Sequence, residues 1–116
     1  MKDADFLRHI KKAVEEVREI MTGLDQDAYK KDVKTQRAVE RELQIIGDAV
    51  HKLSDELVQG HPDIEWRKIY AARNVVVHFY WGVDQDILWD VVTTKLDPLY
   101  AKVNELLAKE APSPGT

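Results

Sequence analysis

Residues 73–81 read RNVVVHFYW, and the fold turns on whether they form a strand or a helix. The valines and aromatics favour a strand by propensity. Their angular distribution favours a helix. At roughly 100° per residue, Ile69, Ala72, Val75, Val76 and Phe79 share one arc of about 120°, with Arg67, Arg73, Asn74 and His78 on the other side. A strand would put Val75, Val77 and Phe79 on one face and Asn74, Val76, His78 and Tyr80 on the other, a poorer separation. Asp63 after Pro62 offers an N-cap, Gly82 a stop, and Asp84 the cap of a following helix. The pattern predicts a helix within 62–81, and no other stretch reads as a strand that could pair with it.

The same rhythm runs outward in both directions. Val39, Leu43, Ile46, Val50, Leu53 and Leu57 recur at spacings of four and three, the seam of a helix packed along its neighbours. Phe6, Ile10, Ala13, Val17, Ile20 and Leu24 repeat it near the start, with Gly23 placed to end that helix. Leu88, Val92, Leu96, Leu99, Val103 and Leu106 repeat it near the end, where Pro98 predicts a kink near Asp97. The polar stretch 25–32 reads as a loop or frayed turn, and Trp66, Trp81 and Trp89 as core or interface filling. The expectation is an all-α, up-down four-helix bundle, residues 1–110 as a single domain and 33–59 as its longest helix, with 111–116 (APSPGT) a disordered tail.

The 116 residues, 44% of them hydrophobic and 33% charged, suit one ordinary globular core. Without cysteine there is no disulfide and no thiolate nucleophile. No apolar run is long enough to span a bilayer, and MKDADFLRHIKK is too polar for a signal peptide, so cytoplasm is the expected location. A net charge of −4 works against unselective nucleic-acid binding, so an RNA site would have to be a local basic patch.

Arg73 and His78 narrow the chemistry. Histidine moves protons near neutral pH, and the arginine fork matches phosphate oxygens. Together they suit phosphodiester cleavage, with His78 deprotonating a ribose 2′-hydroxyl or protonating the leaving oxygen and Arg73 stabilising charge at phosphorus. Asn74 could orient His78, and Tyr80 could bind phosphate or stack on a base. That chemistry needs no cofactor, and His9, His51, His61 and His78 make no i, i+4 metal pair. Five residues apart, Arg73 and His78 are separated on a helix by about 7.5 Å of rise and about 140° of rotation. A second copy of the chain, or a distortion near Gly82, is needed to bring them to one substrate. By residue type alone, an arginine and a histidine on the outer side of a helix are far more often a solvated face.

The run Arg73, Asn74, four residues on to His78, then Tyr80 resembles the signature of the HEPN superfamily, and most closely the HepT-like toxins. The resemblance extends over residues 1 to about 108. KTQRAVERELQIIGDAVHKLSDEL at 34–57 is similar to the family's second helix, and HPDIEWRKIYAARNVVVHFYWGVD at 61–84 to its third. It implies a two-fold dimer whose composite cleft is a metal-independent endoribonuclease with Arg73 and His78 as the catalytic pair, supported by Asn74 and Tyr80. It also implies a partner, a minimal nucleotidyltransferase antitoxin of the MntA type, which in some members transfers AMP to the motif tyrosine, here Tyr80. Glu42 departs from the uncharged polar residue of many relatives, and its charge matters if it faces the cleft. Two other readings are a non-catalytic dimer that holds a nucleotidyltransferase or a nucleotide, and a structural dimer with no ligand.

Overall fold

The computed structural model describes residues 2–110, and all regular structure among them is helical. The order is α1 (Asp3–Ile20), α2 (Gln26–Lys31), α3 (Val33–Lys52), α4 (Asp55–Gln59), α5 (Trp66–His78), α6 (Gln85–Asp90), a π-helical turn (Val91–Lys95) and α7 (Leu96–Glu110). α1 packs on α3 and α7, α3 on α5, and α5 on the π turn. The four long rods, the last running from α6 through α7, thus close into a bundle as the periodicity requires. The seam residues Val39, Leu43, Ile46 and Val50 of α3 meet Leu7, Ile10, Val14 and Val17 of α1 in one buried cluster that Leu99 and Val103 of α7 complete. Residues 111–116, expected to be a disordered tail, lie outside the described residues. Among those described, no helix is long and apolar enough to cross a membrane.

Several boundaries differ from expectation, each for a local reason. The long helix ends at Lys52 rather than near residue 59, because Ser54 caps a separate helix. Its Oγ accepts from Leu57 N at 3.2 Å and donates to the Asp3 carboxylate at 2.6 Å, tying α4 to the start of α1. The stretch 25–32 is not a loop: Asp25 accepts from Ala28 N and caps α2, which buries Tyr29 completely. α5 begins at Trp66 with Glu65, not Asp63, at the cap position. It ends at His78, and Phe79 to Gly82 form a turn closed by Gly82 N–H on the Phe79 carbonyl at 2.9 Å. Gly82 is therefore four residues beyond the stop it was expected to supply. Asp84 does cap the next helix, accepting from Asp86 N and Ile87 N.

The expected kink near Asp97 is replaced by the widened turn at 91–95, where Leu96 N bonds the Val91 carbonyl five residues back. Pro98 has no N–H for the carbonyl of Thr94, so the ladder is already interrupted there. Gly23, at φ 78°, ends the α1 segment in the left-handed conformation expected of it.

Candidate active site

Ile69 and Ala72 turn one face of α5 into the core, 1% and 0% exposed. That rotation carries Tyr70, Arg73 and Asn74 to the edge where α5 meets α3. The helices touch closely there because residue 47 is glycine: a β-carbon on it would lie 2.2 Å from Arg73 Cβ. Arg73 is held from two sides. Its Nε donates to Asp48 Oδ1 at 2.7 Å, and its Nη1 donates to Asn74 Oδ1 at 3.0 Å. Its Cζ lies 5.6 Å from the centroid of the Tyr70 ring, which stacks on His51 at 4.9 Å and 15°. With 22% of the side chain exposed, the guanidinium is fixed yet reachable. Among the described residues two of its five N–H donors are used, leaving the rest of the fork for an anion.

His78 is the last residue of α5 and its side chain is exposed. It makes no hydrogen bond with Arg73, so one chain does not bring the two into a single contact. Asn74 is turned to Arg73 and not, as expected, to His78. Tyr80, expected two helical turns beyond Arg73, has left the helix. It is 78% exposed and meets Trp81 edge to face at 5.4 Å, while Phe79 packs on Trp81 at 5.5 Å. Phe79 and Trp81 are therefore surface residues, against the expectation of an apolar helix face for Phe79, and of the two places expected for Trp81, core or interface, the core is excluded. Trp66 is buried, with its Nε1 donating to the His61 carbonyl at 2.9 Å.

Glu42 does not face this site. It is buried against α1, in a hollow lined by His9, Lys12, Glu16 and Ile45. Burial, then the neighbouring Glu16 carboxylate, pushes its carboxyl up to about 7. Asp48, Gly47, Tyr70 and His51 were not singled out from the sequence. The one available signal was Gly47 in the IIG run, opposite an arginine on the next long helix. Among the described residues no three His, Cys, Asp or Glu side chains are grouped to hold a metal.

The family model for HepT-like ribonucleases matches residues 10–106. The chain is 34% identical to the probable ribonuclease HepT of Thermococcus cleftensis over 102 residues, 88% of this chain and 93% of that one. It is 33% identical over 105 residues to a candidate RNase of Caldanaerobacter subterraneus subsp. tengcongensis, 90% of this chain and 94% of the relative. A candidate RNase of Methanocaldococcus jannaschii is 29% identical over 102 residues, 88% of this chain and 84% of the relative. No solved structure matches the chain significantly. An arginine fork clamped at the seam of two long helices, a solvent-facing histidine ending the second, and a match over most of the length together place this chain in the family of HepT-like ribonucleases.

Proposed function

We propose that the chain is a metal-independent endoribonuclease, the toxin of a toxin–antitoxin pair, with Arg73 and His78 as its catalytic residues. The observation that carries the reading is the Arg73 fork, anchored by Asp48 and Asn74 with donors to spare, on the helix that ends in exposed His78. His78 takes the proton of a ribose 2′-hydroxyl, whose oxygen bonds to phosphorus as the bond to the 5′-oxygen breaks, and the departing 5′-oxygen takes a proton from solvent water. The ends are a 2′,3′-cyclic phosphate and a 5′-hydroxyl. Arg73 lies against the phosphate oxygens, where charge builds. With no hydrogen bond joining Arg73 to His78 within one chain, the cleft on this reading is completed across a two-fold axis by a second copy.

The aromatic turn supports a regulatory partner. Phe79, Tyr80 and Trp81 are 50%, 78% and 72% exposed, an apolar patch of the kind that partners cover. An MntA-type nucleotidyltransferase would use the free Tyr80 hydroxyl to attack the α-phosphorus of ATP, losing its proton and releasing pyrophosphate. The adenylate on Tyr80 adds negative charge beside the RNA path. The same patch favours the second reading, a non-catalytic dimer whose task is to hold that partner or a nucleotide.

The test is cleavage of RNA by purified protein in a chelator, with Arg73→Ala and His78→Ala alongside, and an oligonucleotide with a deoxyribose at the cut site as control. Loss of cleavage in both variants and in the control supports the reading; undiminished cleavage in both variants ends it. Intact mass after co-expression with the neighbouring gene tests Tyr80, and light scattering tests the dimer.

A further inference from the structure

Beyond Arg73, the α3/α5 seam opens into a hollow of about 210 Å3. Val50, Leu53 and Trp66 form an apolar floor, all nearly buried, and His51, Arg67 and Tyr70 stand at its rim. This is smaller than the roughly 300–1,000 Å3 of sites for drug-sized ligands, so it suits one planar ring system.

Four features point to what that ring is. His51 and Tyr70 already stack within 15° of parallel at the rim, a column that one further ring can lengthen. Such aromatic faces hold unpaired bases by stacking. Arg67 is exposed, and among the described residues no carboxylate lies within ion-pair distance of it, so its fork is open to a phosphate. Asp55 also lines the hollow and offers an acceptor to an exocyclic amino group. The hollow is continuous with the candidate active site, because the Tyr70 ring at its rim is the ring beneath the Arg73 guanidinium.

We propose that this hollow receives one unpaired, amino-bearing nucleobase of the RNA strand, stacked at the Tyr70–His51 pair with its phosphate on Arg67, beside the nucleotide held at Arg73. The proposal rests on the ribonuclease reading above. Arg67 and Arg73 are six residues apart on α5, about 9 Å along its axis, so the phosphate on Arg67 belongs to a different nucleotide from the one held at Arg73. Adenine, guanine and cytosine have the amino group that Asp55 accepts from, and uracil does not.

The experiment pairs kinetics with a binding probe on the full chain. For a short RNA, Arg67→Ala and His51→Ala are expected to raise KM about tenfold with kcat and thermal midpoint unchanged, the size expected for one lost contact of this kind. Arg67→Lys and His51→Tyr recover most of the loss. Cytidine 5′-monophosphate shifts the Trp66 indole N–H resonance, and uridine 5′-monophosphate shifts it far less. Unchanged KM in both alanine variants, with Arg73→Ala inactive, overturns the subsite and leaves the ribonuclease reading intact. A cytidylate shift with unchanged KM also overturns it, since the hollow then takes free nucleotide and not the strand. Full activity in Arg73→Ala removes the ribonuclease reading at this seam, and this proposal with it.

Discussion

Gly47 of α3 lies directly beneath Arg73 of α5: a β-carbon added at 47 would stand 2.2 Å from Arg73 Cβ and 2.7 Å from Cγ. The clash is with the root of the arginine side chain, not its flexible end, so rotation of the guanidinium cannot relieve it. The helices must separate or Arg73 must leave its position between Asp48 and Asn74.

Gly47→Ala is therefore expected to cost about 1–3 kcal/mol of stability through overpacking. RNA cleavage should fall further than the folded fraction accounts for, because the fork is displaced from Asp48. Urea denaturation and cleavage rates measured on the same preparation separate the two effects. Wild-type stability together with wild-type rate in this variant would contradict the close crossing.

Asp48 holds Arg73 by its Nε and Asn74 takes one N–H of Nη1, which leaves the other Nη1 N–H and both on Nη2 open. Arg73→Lys keeps the charge but loses the fork and the anchored geometry, and its expected kcat is lower by about 100-fold. Asp48→Asn keeps shape and acceptor oxygen while losing the ion pair, so a smaller fall in kcat is expected. Equal rates for Arg73→Lys and wild type would mean that only charge matters at this position.

The parts of this fold legible in the sequence are those where one period runs unbroken. The α3 seam and the burial of Ile69 and Ala72 follow from helical spacing alone. The break after Lys52 was hidden because Val50, Leu53 and Leu57 keep their spacing across it, although Ser54 followed by two acidic residues is a cap signal. α2 escaped notice because six residues show little periodicity, so its only marks were the Asp25 cap and Tyr29. The end of α5 was misplaced for another reason. Phe79 continues the apolar arc on paper, but the chain unwinds there and exposes the aromatic turn, so the helical wheel stopped applying one residue after His78. Arg73 and His78 were visible as residue types, whereas the Asp48 anchor arises from contact between two helices that no local pattern encodes.

That turn is held at its far end by a partly buried polar chain. Tyr29 Oη donates to Gln85 Oε1, Gln85 Nε2 donates to Glu40 Oε2 at 2.8 Å, and Arg37 reaches the same carboxylate oxygen at 2.8 Å. Burial first, then the Glu40 charge, raises the Tyr29 phenol above its ordinary range, so it stays a neutral donor. Tyr29→Phe leaves Gln85 Oε1 without its donor and is expected to cost about 1–3 kcal/mol. Amide exchange should rise across residues 79–88 more than in α1. Unchanged exchange in that segment would show that the network does not secure the turn.

Glu42 sets the pH dependence of stability at the α1/α3 face. In the folded chain its carboxyl is pushed up to about 7 by burial and by the Glu16 carboxylate, with Arg41 and Lys12 offsetting only part of this. In an unfolded chain a glutamate titrates near about 4.3. Below that pH both states carry the proton and Glu42 has no effect. Between about 4.3 and 7 the folded state keeps a proton that the unfolded state has released, so stability falls as pH rises. Above about 7 the loss is complete. A side-chain amide at this position stays neutral throughout, so Glu42→Gln should raise the thermal midpoint at pH 8 by several degrees and change it little at pH 4.5. His9 also lines this hollow, so the variant is compared with wild type at each pH rather than across pH. A midpoint difference that is the same at both pH values would mean that Glu42 is ionised in the fold, and the carboxyl pair would then share no proton.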